Sequence, residues 1–260
     1  MMSITPMVRN LLIINVVAYI AFTYFGSSAP FALYDFRSEL FRPYQFITYM
    51  FMHDSRSWGH IFSNMLSLFI FGPMLEHRWG PQRFLIFYLV CGVGAGILYS
   101  GIRSYEFGQM QQAEQEFLIN PTPENYHSFL EESLKGDYDT QMLLDFKRNQ
   151  TNTQFIAAAK QDVKNFYEKI INIPMVGASG AVFGLLMAFG LLFPNTELFL
   201  LFFPFPIKAK YFVLFYGAYE LYAGVQRLPG DNVAHYAHLG GMLFAFILLK
   251  VWERDRSNFY

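Results

Sequence analysis

The chain is almost without cysteine: Cys91 stands alone among 260 residues, inside an apolar run. No intrachain disulfide is possible, and no redox chemistry is suggested. Charge is also scarce, at 15% of residues, and a formal net charge of -1 gives no basis for nucleic-acid binding. There is no His-Glu-x-x-His, and no acid neighbours His60, His235 or His238 along their apolar segments, so no metal is expected. An aspartyl site needs two buried acids, whereas the apolar segments offer only Glu220 plus residues at their ends. Glu220 itself reads as an interfacial or paired residue rather than a catalyst. The Gly-x-Ser-x-Gly elbow of soluble hydrolases fails as well, because Ala181 replaces the last glycine.

What the chain does have is apolar sequence. Hydrophobic residues make up 53% of it and aromatics 19%, with 30 Phe and 17 Tyr, far beyond the needs of a soluble core. Charges are confined to short patches between long apolar runs, which describes a multi-pass, all-α integral membrane protein in a lipid bilayer. Six spans are expected, at about 8–25, 58–75, 84–102, 174–193, 207–225 and 233–252. The first could be mistaken for a signal peptide, but its apolar run is longer than a usual signal core and more spans follow, so it reads as a retained anchor.

Three sections follow from this. Residues 1–102 form the first half of a membrane core, with a loop at 26–57 whose mixed aromatic and polar residues suit the membrane surface. Residues 103–170 form an extramembrane insertion carrying 11 acidic and 7 basic residues and no spanning run. It reads as helical in pieces and solvated. Thr122-Pro123-Glu124 is a helix start, and Phe155, Ala159, Val163, Phe166 and Ile170 share one helical face. Residues 171–260 complete the core and end in a short tail, after a turn at Pro229-Gly230-Asp231-Asn232. Basic residues flank the N-terminus, the 2–3 loop, the 4–5 loop and the tail, so both termini are expected in the cytoplasm and the insertion outside.

In that topology the second, fourth and sixth spans enter from the outer face, each with polar residues in its first two turns: His60 and Asn64, Ser179, and His235 and His238. A lone serine in a membrane helix is mostly a packing residue. Three helices placing polar groups at one depth point instead to function. Serine needs a base to become a nucleophile, and histidine is the usual one. Ala234, His238, Gly241 and Ala245 share one helix face, and Gly177, Gly180, Gly184 and Ala188 share another. Two such small-residue faces can approach closely and bring His238 to Ser179. His60 and Asn64, four apart on one face, are hydrogen-bond donors suited to an oxyanion, and the Ser179 backbone N–H could add another. The fourth helix, begun at Pro174, would carry Ser179 roughly 8 Å along its axis.

Gly177-Ala178-Ser179-Gly180-Ala181-Val182-Phe183-Gly184 together with Ala237-His238-Leu239-Gly240-Gly241 resembles the rhomboid intramembrane serine proteases. His60-x-x-x-Asn64, Glu76-x-x-x-Gly80, Pro43-Tyr44-Gln45 and the Thr48–His53 stretch add to the resemblance, which covers about 8–102 and 174–252. It implies a six-helix bundle with a water-filled cavity open to the outer side. It further implies a Ser179–His238 dyad without a third acid, and His60, Asn64 and the Ser179 amide as oxyanion donors. Phe183 would support the histidine ring, Gly177, Gly180 and Gly241 would permit close packing, and His235 would be structural or support the base. Substrates would be single-span membrane proteins cut near the outer boundary, with no metal or organic cofactor, in the bacterial inner (plasma) membrane. The alternative is a catalytically inactive rhomboid-like protein that binds or escorts membrane proteins, against which the retention of both Ser179 and His238 argues. The resemblance leaves oligomeric state open. The departures are a long gap between His53 and His60, Tyr44 where tryptophan is common, and the insertion, which has no counterpart in the minimal bacterial core.

Overall fold

Proline, glycine and one buried carboxylate punctuate a chain that is otherwise almost entirely helical. In a computed structural model, which describes residues 4–136, 138–199, 205–226 and 233–252, the helices are α1 Pro6–Tyr24, α2 Gln45–Thr48, α3 Trp58–Trp79, α4 Pro81–Ile119, α5 Pro123–Leu134, α6 Thr140–Arg148, α7 Thr153–Ile171, α8 Ser179–Leu192, α9 Ala209–Gln226 and α10 His235–Trp252. Two short strands, Glu197–Leu198 and Ile207–Lys208, pair between α8 and α9. The turn expected at 229–232 and the basic tail lie outside the described residues.

Helices α1, α3, α4, α8, α9 and α10 fall on the six expected spans. By length and composition α1, α4 and α10 are apolar enough to cross a membrane, and α8 is a shorter apolar helix of 14 residues. The outward faces carry large exposed side chains such as Ile13, Val17, Phe69, Ile97, Leu214, Phe215, Ile247 and Val251. Such a surface in water would be an aggregation hazard; it suits lipid.

The chain divides into two compact units. The first joins 1–33, 42–99 and 175–260 and contains every candidate site residue named above. Within it Glu76, 3% exposed near the end of α3, serves as a cap for α1: its carboxylate accepts from the Thr5 hydroxyl and from the backbone N–H groups of Met7 (2.9 Å) and Val8 (2.8 Å). Those are the unpaired donors of a helix N-terminus, and a carboxylate there also complements the helix dipole. Gly80, at φ +80, then turns the chain into α4.

The second unit joins Tyr34–Phe41 to Ser100–Pro174, so it is wider than the expected 103–170. Helix α4 does not stop at residue 102, where the apolar run ends, but continues to Ile119, because 103–119 contains no proline and is rich in good helix formers. The unit has its own core rather than being a string of solvated pieces. Phe107, Phe117, Phe129, Phe146, Val163 and Tyr167 are among its buried residues. Phe117, Tyr126 and Phe146 meet with ring centroids 4.8–5.4 Å apart. Thr122 caps α5 as expected, accepting from the Asn125 N–H at 3.2 Å. Segment 34–41 is held to this unit by Arg37, which donates to the Ser104 carbonyl at 2.8 Å and to Asp35 at 3.1 Å.

Candidate active site

Ser179 opens α8; it does not lie a turn inside it. The expected start at Pro174 is corrected by two features that hydropathy does not record. Met175 pairs with Leu33 in an antiparallel bridge, with N–H to O distances of 2.8 and 2.9 Å. Gly177 then adopts φ +125, a backbone conformation that favours glycine, and donates its N–H to the Tyr49 carbonyl at 3.0 Å. Segment 175–177 is therefore extended and tied to the loop that precedes α3. The consequence is chemical: the backbone N–H groups of the first turn, Ser179 included, have no intrahelical acceptor. A helix of 14 residues spans only about 21 Å of a roughly 30 Å hydrocarbon layer, so Ser179 sits below the surface when the far end of α8 reaches the opposite boundary.

Helices α8 and α10 approach until backbone meets backbone. A Cβ on Gly241 would stand 1.8 Å from the carbonyl oxygen of Gly180, and one on Gly184 would stand 3.2 Å from that of Gly241. On the other side, a Cβ on Gly180 would come within 2.4 Å of the Ala95 Cβ. This contact brings His238 Nε2 to 2.9 Å from Ser179 Oγ. The ring of Phe183, one turn after Ser179, stacks on that of His238 with centroids 4.0 Å apart and planes 8° apart.

His60, on α3, reaches the space beside Gly177. A Cβ at Gly177 would sit 2.7 Å from His60 Nε2 and 3.7 Å from Ser179 Oγ, so the space beside Gly177 is flanked by a hydroxyl and an imidazole. Asn64 is buried, and its amide nitrogen donates to the His60 carbonyl at 2.9 Å, fixing it to its own helix. His53, in the loop before α3, packs edge-on against His60 at 5.2 Å. Burial, and secondarily the neighbouring His60, push the His53 imidazole down to about 3, which keeps it uncharged.

One residue given no chemical part by sequence reading is in the cluster. Glu220 of α9, 2% exposed, places Oε2 at 2.8 Å from His238 Nδ1 and 2.6 Å from His235 Nδ1. Helix α10 itself carries no acid, but the fold supplies one from another helix. The signal that could have found it is its rarity, since an acid inside an apolar span defaults to function. Glu220, His235 and His238 also form a group able to hold a metal ion. Their separations are those of hydrogen bonds between a carboxylate and imidazole N–H groups.

The Rhomboid domain family model matches residues 40–108 and 151–253, so that α1 and the middle of the second unit lie outside the match. The chain belongs to the rhomboid family. It is 24% identical over 202 residues, 77% of this chain and 43% of the relative, to "RHOMBOID-like protein 12, mitochondrial" of Arabidopsis thaliana. It is 36% identical over 89 residues, 33% of this chain and 25% of the relative, to "Rhomboid protein 1, mitochondrial" of Saccharomyces cerevisiae. With "Rhomboid-like protein 11, chloroplastic" of Arabidopsis thaliana it shares 40% identity over 55 residues, 21% of this chain and 19% of the relative. The chain covers less than half the length of each of these rhomboid relatives. Their names assign them to mitochondria and chloroplasts, so they lend no support to the bacterial membrane expected above. An integral membrane protein of the rhomboid family is what they support.

Proposed function

We propose that this rhomboid is an intramembrane serine endopeptidase that cuts single-span membrane proteins near the outer membrane boundary. The observation that carries the reading is the pair formed by Ser179 Oγ and His238 Nε2 at 2.9 Å, at the mouth of a short helix in a lipid-facing fold. In the reaction, the Ser179 proton passes to His238 Nε2 as Oγ attacks the scissile carbonyl carbon. The carbonyl oxygen becomes an oxyanion in the space beside Gly177, stabilised by His60, Asn64 and the Ser179 N–H. Collapse breaks the C–N bond, and the proton held by His238 leaves on the amine. Water then enters by the same base and releases the acyl group from Ser179. No step requires a metal or an organic cofactor.

Cleavage of a single-span reporter in liposomes, together with labelling by a fluorophosphonate, tests the reading. Cleavage and labelling that both vanish in Ser179→Ala support it. A folded wild-type protein that neither cuts nor labels, yet binds membrane proteins, would favour the inactive escort instead.

A further inference from the structure

His238 has two ring nitrogens, and the proposed chemistry needs a particular one to carry the proton. Nε2 faces Ser179 and must be bare to accept from it, so Nδ1 must hold the hydrogen. A histidine free to choose would divide itself between tautomers and, on a flexible side chain, between rotamers. Three contacts hold it here. Phe183 covers one face, Ser179 meets Nε2, and Glu220 Oε2 meets Nδ1 at 2.8 Å.

With Glu220 ionised, the tautomer follows by elimination. An ionised carboxylate has no proton to give, so a nitrogen 2.8 Å from Oε2 must be the donor. The same holds for His235 Nδ1 at 2.6 Å, and a single oxygen therefore accepts from two imidazole N–H groups. This also explains how an acid can lie 2% exposed in a membrane bundle, since charges in such surroundings are paired or hydrogen-bonded. His235 and His238 are three apart on α10 and so present both Nδ1 atoms to one place. Gly224, one turn beyond Glu220, lets α9 come close, for a Cβ there would be 3.2 Å from the His235 Cβ.

We propose that Glu220 is a positioning residue for the Ser179–His238 pair, making the site a serine–histidine–glutamate relay in which His235 is the second donor that anchors the carboxylate. The proposal rests on the protease reading. In the step it assists, the serine proton moves to His238 Nε2, the Nδ1 proton stays on His238, and Glu220 remains ionised throughout. The imidazolium that forms lies against a negative charge in a medium of low dielectric, where the attraction is strong. Glu220 acts on the serine through His238.

The decisive variant is Glu220→Gln, which keeps the shape but can turn an N–H toward His238 and favour the wrong tautomer. The expected result is a fall in kcat of about 10²–10⁴-fold with KM changed by less than about threefold. Fluorophosphonate labelling of Ser179 should slow in parallel, the thermal midpoint should hold, and Glu220→Asp should restore part of the loss. A second measurement needs no turnover and no variant of Glu220. In protein labelled with ¹⁵N-histidine, His238 and His235 should each show a proton on Nδ1, shifted strongly downfield, with Nε2 of His238 bare.

A wild-type His238 protonated at Nε2 would overturn the proposal, as would a folded Glu220→Gln with kcat within about threefold of wild type. Activity lost to a chelator and restored by Zn²⁺ would overturn it too, because the three side chains would then be metal ligands. Absence of Ser179-dependent cleavage in wild type would remove the protease reading itself, whereas the resonance measurement still reports whether Glu220 fixes the ring.

Discussion

Phe183 lies flat against His238, with 8° between their planes and 4.0 Å between their centroids. The two residues come from α8 and α10, and Phe183 stands one helical turn from Ser179, so the residue that positions the ring is carried by the helix that carries the serine. Tyr216 also packs against Phe183, tilted at 58° with centroids 4.9 Å apart. Replacing Phe183 with leucine keeps apolar volume but removes the flat surface. Phe183→Leu should lower kcat about 10–100-fold, as a displacement on the order of 1 Å does at other sites, with little change in thermal midpoint. Full activity in Phe183→Leu would mean that Ser179 and Glu220 alone hold the ring.

Residues that act as one unit fail together. Ser179→Ala and His238→Ala should each reduce reporter cleavage by about 10⁴-fold or more, and the double variant should be no worse than either single. Asn64→Ala should retain some activity, with a loss of about 10²–10³-fold for one oxyanion donor. His235→Ala should be milder than His238→Ala. An active His238→Ala beside a dead His235→Ala would put the base one turn away, and a normal Ser179→Ala would end the protease reading.

The parts of this architecture that sequence made legible are those with a period or a composition. Apolar runs located six helices, and the stripe through Ala159 and Val163 located the buried face of α7. The small-residue faces around Gly180 and Gly241 foretold the approach of α8 to α10, because missing side chains are visible in a sequence. What was not legible depended on pairing or register between distant segments. The start of α8 is set by the Leu33–Met175 bridge and the positive φ of Gly177, neither of which alters hydropathy. The length of α4 was missed because loss of apolar character marks where lipid contact ends, not where a helix ends. Glu220 was passed over for a similar reason: its partners are 15 and 18 residues away, on a different helix.

Among the described glycines, Gly241 makes the closest approach to a neighbouring backbone, at Gly180. A methyl group on Gly241 would meet the Gly180 carbonyl, and a backbone atom within a helix cannot swing aside as a flexible side chain can. Gly241→Ala should therefore destabilise the protein by about 3 kcal/mol, at the upper end of overpacking costs, and separate His238 from Ser179. Loss of fluorophosphonate labelling and a lowered midpoint in the same variant are the expected signs. An unchanged midpoint would show that the two helices can move apart at little cost.

The second unit has a core of its own, and no proposed catalytic group comes from it. Phe146 is 1% exposed there, against Phe117 and Tyr126. Phe146→Ala should cost that unit about 3–5 kcal/mol and raise hydrogen exchange in α5, α6 and α7. Labelling of Ser179 should persist, even if cleavage of particular substrates falls. Labelling that disappears with the exchange protection would make this unit part of the site.

Orientation follows from where the basic residues lie. Arg9, Arg78, Arg83, Lys208, Lys210 and Lys250 flank one set of helix ends, whereas 103–170 carries a net negative charge. If the basic flanks stay in the cytoplasm, the insertion is expected on the opposite side, and so are His60, Ser179 and His238. Cys91 is fully buried, so a cysteine introduced elsewhere can be read against a quiet background. Ser128 and Gln82 are both exposed and lie on opposite sides in this topology. An impermeant maleimide should modify Ser128→Cys in intact cells, and Gln82→Cys only after the membrane is opened. The reverse pattern would turn the molecule over, and cleavage would then fall at the cytoplasmic boundary of its substrates.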